Sequence, residues 1–144
     1  DRSYGIHAAE LTLGLLGPGM KSVRMVRHDD KGTIIHFEHG RGTRGYMQPQ
    51  CAFPFRAASF VVDGVFHCVE FPPPQIHQSV VRTLVETART RRGPLPVEQI
   101  GESVKILAAA IQSHQRGGEE VAIADVDPSI SFDGTAFTSE YRDK

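Results

Sequence analysis

Tyr4-Gly5-Ile6-His7-Ala8-Ala9-Glu10-Leu11-Thr12-Leu13-Gly14-Leu15-Leu16-Gly17-Pro18-Gly19 opens the chain, and its reading decides the fold. Apolar positions at helical steps predict a helix over 4–16. Gly17-Pro18-Gly19 stops it, because Gly suits a left-handed cap and Pro cannot continue a helix. His7 and Glu10, three residues apart, share one helical face. Gly5 just before them lets another group approach the backbone closely. A helix start of this kind suits the wall of a reaction cleft, although nothing in this sequence supplies a cofactor loop to complete it.

Downstream of the glycines the period changes from helical to alternating. Residues 22–28, 33–38, 43–48, 57–62 and 65–71 read as strands. Turns are expected at Asp29-Asp30-Lys31-Gly32, His39-Gly40-Arg41-Gly42 and Asp63-Gly64, the last being the strongest hairpin signal. On the first strand, alternation puts Val23, Met25 and Arg27 on one side and Arg24, Val26 and His28 on the other. Pro72-Pro73-Pro74 reads as a stiff extended spacer. Helical spacing then returns over 75–91, through Ile76, Val80, Val81, Leu84, Val85 and Ala88, and over 97–116, with Ile100, Val104, Leu107, Ala108 and Ile111 as the apolar stripe. Residues 121–126 read as a short final strand. The expected class is therefore α+β: a mostly antiparallel open sheet with helices packed on one face. Residues 1–126 form the domain and the polar, turn-rich 127–144 an extended tail. Apolar residues on both faces of strands 57–62 and 65–71 point to a homo-oligomer formed through the open sheet face.

Bulk properties narrow the function classes. The chain has 144 residues, 40% hydrophobic and 23% charged, with a formal net charge of −1. That balance is globular, and it argues against a nucleic-acid binder. No apolar run approaches the ~20 residues of a membrane span, so no membrane partner is expected. Without a leader pattern, and with Cys51 and Cys68 read as reduced thiols, a cytoplasmic setting is expected. His28, His36 and His39 do not form a metal set, since strand geometry sends them in different directions. Arg89, Arg91 and Arg92 read as a solvated helix end that complements the helix dipole.

Four segments in this order resemble the C-terminal domain of the Gfo/Idh/MocA family of NAD(P)-dependent oxidoreductases, a dihydrodipicolinate-reductase-like fold, over about residues 3–126. They are Gly5-Ile6-His7-Ala8-Ala9-Glu10-Leu11 with Leu15-Leu16-Gly17, His39-Gly40-Arg41-Gly42-Thr43-Arg44-Gly45, Phe60-Val61-Val62-Asp63-Gly64-Val65-Phe66, and the helix pair 81–93 and 96–116. The resemblance implies a substrate-binding and oligomerisation domain of an oxidoreductase acting on a sugar-like or polyol CH–OH group. It implies His7 as the residue that exchanges a proton with the substrate hydroxyl, a task suited to imidazole in general. Tyr4, Glu10, Arg44 and Tyr46 become substrate-binding candidates. NAD or NADP would be held by a separate N-terminal dinucleotide-binding domain, with none expected on this chain alone. Ser3 stands where the family often has an aspartate; a serine hydroxyl can hydrogen-bond but does not offset an imidazolium charge. The competing expectation is a non-catalytic dimeric interaction module that uses the same sheet.

Overall fold

The computed structural model describes residues 5–49, 57–62, 64–70 and 73–127, with side chains at 5–49, 64–68 and 77–127. Tyr4, Ser3, Cys51 and the expected tail beyond 127 lie outside these residues. The order is α1 (Gly5–Leu16), β1 (Met20–Asp29), β2 (Gly32–His39), β3 (Arg44–Met47), β4 (Ala57–Val62), β5 (Val65–Glu70), α2 (Pro73–Thr90), α3 (Val97–Gln115) and β6 (Val121–Ala122). The fold is α+β: an open antiparallel sheet in the order β3-β2-β1-β6, with α1 and α3 on one face.

Helix α1 ends as its sequence dictates. The Gly17 amide donates to the Leu13 carbonyl at 2.8 Å while Gly17 adopts φ +79°, which closes the last turn in a left-handed cap. Its inward face, Gly5, Ala9 and Leu13, is buried. A Cβ added to Gly5 would sit 3.1 Å from Leu107 Cδ2, so the absent side chain is what lets α1 settle on α3. The core below is built from Val23, Ile35, Phe37 and Met47 of the sheet with Ile106, Ala109 and Ala110 of α3. Each fully buried aliphatic side chain contributes about 1.5–3 kcal/mol.

Several expectations are corrected. The strands 57–62 and 65–71 do not join the main sheet; β4 and β5 form a separate two-stranded hairpin, paired from Ala57↔Glu70 to Val62↔Val65. Prolines 73 and 74 open α2 instead of extending a spacer, because the first turn of a helix has no use for the missing N–H groups. The last strand is two residues long and passes into a 3-10 turn at Ile123–Asp125. The predicted apolar stripe of α3 is only partly its packed face: Leu107 meets Gly5 and Ala108 packs against the core, but the fully buried positions lie elsewhere. Ser103, Ile106, Ala109, Ala110 and Ser113 are buried, while Val97, Ile100, Val104 and Ile111 are exposed. Small side chains allow the closest approach of helix to strand, and α3 packs on β1 through them. Two hydrogen bonds hold that approach: the Met25 amide donates to Ser113 Oγ (2.8 Å), and that hydroxyl donates to the Glu119 carbonyl (2.5 Å).

The strand alternation is corrected too. The β1–β2 register slips between Met25 and Arg27, so Met25 pairs with Ile35, Arg27 with Ile34 and His28 with Thr33. One bulged residue exchanges the faces of everything after it. His28 thereby turns to the helical side, where its ring meets that of His114 on α3 edge-on at 5.1 Å. Among the described residues helix α2 forms no packed interface with this layer, and Val80, Val81, Leu84 and Val85 on it are exposed.

Candidate functional site

The predicted residues fall into two groups on opposite sides of the sheet. His7 and Glu10 project from the outer face of α1, in its first two turns, with side chains 70% and 55% exposed. His7 Nδ1 lies 3.7 Å from Glu10 Oε2, within ion-pair range of the carboxylate. Helix geometry puts the two on one face, and the burial of Ala9 and Leu13 on the other face fixes how that face is presented. The imidazole is therefore carried by a rooted helix and is open to solvent.

Arg44 and Tyr46 occupy alternate positions of β3, whose other positions, Gly45 and Met47, face the helices. Arg44 and Tyr46 thus point away from α1, and the structure does not bring them to His7. Their register reveals partners that the sequence reading missed. Tyr46 lies opposite His36, and His36 lies opposite Arg24, so an Arg–His–Tyr row crosses three strands on the open face. The Tyr46 and His36 rings meet edge-on, with centroids 5.3 Å apart. In the neighbouring row Glu38 accepts from Lys21 Nζ at 2.8 Å and from Arg44 Nε at 3.1 Å. Lys21 first, and then Arg44, hold the Glu38 carboxyl below its usual range. Arg44 is accordingly engaged with a carboxylate of its own chain. The signal for this face was present as the period-two set Ile34, His36 and Glu38, but only strand pairing shows which side chains are neighbours.

His39 takes a third direction. It is 2% exposed, its Nδ1 accepts from the Arg41 amide at 3.2 Å, and its Nε2 faces the Pro18 carbonyl at 3.2 Å. Both bonds exist together only for the neutral ring with its proton on Nε2. His39 therefore clamps the α1–β1 loop to the β2–β3 turn, where the Gly40 amide also donates to the Gly19 carbonyl. Glu102, on α3, secures the same loop from the other side by accepting from the amides of Gly19 (2.8 Å) and Met20 (2.6 Å).

Among the described residues no group of three or more His, Cys, Asp or Glu side chains could hold a metal ion. No described helix is long and apolar enough to cross a membrane. A shallow hollow lined by His77, Gln78, Val81 and Arg82 lies on α2, a different element from the one that carries His7. Arg89 is paired with Glu86 at 3.0 Å at the solvated end of α2. The chain matches no known family model, no curated protein and no solved structure.

Proposed function

We propose that this chain is the substrate-binding and oligomerising domain of an NAD(P)-dependent oxidoreductase that acts in the cytoplasm on a sugar-like or polyol CH–OH group. The observation that carries the reading is the solvent-open His7, paired with Glu10 on a helix whose opposite face is rooted in the core. In this role His7 takes the proton of the substrate hydroxyl as the alcohol carbon is oxidised, and returns it in the reverse direction. Glu10, with its carboxylate beside Nδ1, is placed to orient the imidazole or to accept from a second hydroxyl.

The glycine pairs of this chain do not have the setting of a dinucleotide-binding fingerprint. Gly40 and Gly42 lie in the turn between β2 and β3, and Gly117 and Gly118 follow α3, so neither pair follows a strand and opens a helix. Binding of NAD or NADP is assigned to a separate dinucleotide-binding module. Oligomerisation through the open sheet face would use the Arg24–His36–Tyr46 row. The second reading, a non-catalytic dimeric interaction module, is favoured by the placement of His7 and Tyr46 on opposite sides of the sheet.

The role of His7 is tested by one substitution. In the protein that joins this chain to its dinucleotide-binding module, His7→Ala is expected to lower kcat by about 100-fold or more, the usual contribution of a positioned acid–base group. The Kd for NADH should stay within about two-fold, because the cofactor is held elsewhere. Turnover equal to wild type would reduce His7 to a structural residue, and absence of turnover in the wild-type protein itself would leave the interaction module.

A further inference from the structure

Among the described residues, two helices of this chain carry apolar stripes that stay exposed. On α2, Val81 and Leu84 are 60% and 63% exposed, and on α3 Ile100 and Val104 are 51% and 58% exposed. An amphipathic helix draws most of its stability from burying such a face, so bare stripes of this length call for a partner. The stripes run at matching steps of three and four along helices of 18 and 19 residues. The two helices follow one another in sequence, yet among the described residues they form no packed interface with each other.

We propose that these stripes are the two halves of a homodimer interface, with α2 of one copy lying on α3 of a second copy and the reverse contact formed by symmetry. Each copy brings both halves, which is what a two-fold interface requires, and exchange of an identical element between copies is a low-cost way to meet it. The area agrees. Eight large apolar side chains per copy, each about half or more exposed, offer on the order of 700 Å², against about 800 Å² per partner in a stable interface. This surface is distinct from the open sheet face and from His7, so the proposal stands or falls independently of the oxidoreductase reading.

The test is sedimentation equilibrium of the chain with Leu84→Glu on α2 and Val104→Lys on α3. Both sites are solvent-exposed, so each variant is expected to keep the wild-type far-UV spectrum. The wild-type assembly mass is expected to halve in either variant alone. An equimolar mixture should regain it, because one copy then offers an intact α2, the other an intact α3, and the altered pair meets as Glu with Lys. A wild-type chain that stays monomeric overturns the proposal and assigns the stripes to another module. A mass unchanged by either substitution, or a mixture that fails to re-associate, also overturns it.

Discussion

Gly45 tests the packing that sets the orientation of the open face. It lies opposite Phe37 in the β2–β3 register, and a Cβ at this position would fall 2.6 Å from Phe37 Cζ and 2.9 Å from Cε1. Ordinary contact needs about 3.4–4 Å, so the ring must move by roughly 1 Å inside a packed core. Phe37 is 7% exposed and belongs to that core, so no open space receives it. Overpacking of this kind costs about 1–3 kcal/mol, and the reduced freedom of the unfolded chain offsets about 0.4–1 of it. Gly45→Ala is therefore expected to destabilise by about 1–2 kcal/mol, a fall in Tm of roughly 3–6 °C for a chain of this size. The same substitution in a Phe37→Leu background, where the offending ring atoms are gone, should be neutral or slightly stabilising. The coupling energy should be about 2 kcal/mol in a double-mutant cycle read by urea unfolding at constant m-value. Additivity of the two substitutions within about 0.5 kcal/mol would show that Phe37 does not occupy the space above Gly45. The outward turn of Arg44 and Tyr46 would then lose its packing cause.

Glu102→Ala is expected to cost about 2 kcal/mol in thermal unfolding, since one carboxylate oxygen serves two backbone donors, Gly19 and Met20, at the junction of α1 and β1. Glu102→Gln keeps an acceptor and should recover part of that loss. Acidification should weaken the fold through Glu38 and Asp29, whose carboxyls are held below their ordinary values chiefly by hydrogen bonds from Lys21 and Arg27. A carboxyl with a depressed folded-state value contributes fully above its unfolded value, and the contribution is lost as pH falls through the folded one. The urea midpoint should therefore decline between roughly pH 5 and 3, and Glu38→Gln should flatten that decline. An identical slope in the variant would show that the Lys21–Glu38–Arg44 group contributes nothing to folding.

What could be read from the sequence was whatever is local. The stop at Gly17 and the three turns, between β1 and β2, between β2 and β3 and between β4 and β5, lie where turn chemistry puts them, because a turn depends on a few consecutive residues. The His7–Glu10 spacing was legible for the same reason: helix geometry alone makes them neighbours. The buried face of α3 was not legible. Apolar size marks Ile100, Val104 and Ile111, yet the helix seats its Ser and Ala residues on β1, and the choice is made by how near two backbones can come.

The histidines show where local reading stops and what replaces it. His28, His36 and His39 are spread over only twelve positions, and alternation separates His36 from His39 but cannot say what each meets. His28 reaches α3 because the register slips at Val26; His36 pairs with Tyr46 because β3 lies beside β2; His39 is enclosed because the α1–β1 loop folds over it. Each fate is decided by a segment distant in sequence from the histidine itself. The same holds for the candidate site. His7 is presented by its own helix, whereas the chemistry of Arg44 is decided by Glu38 on the next strand, which holds its guanidinium at 3.1 Å. A residue in that position acts on a ligand only by giving up an existing ion pair. Arg24, which lies opposite His36 and for which no ion pair is found among the described residues, meets no such competition.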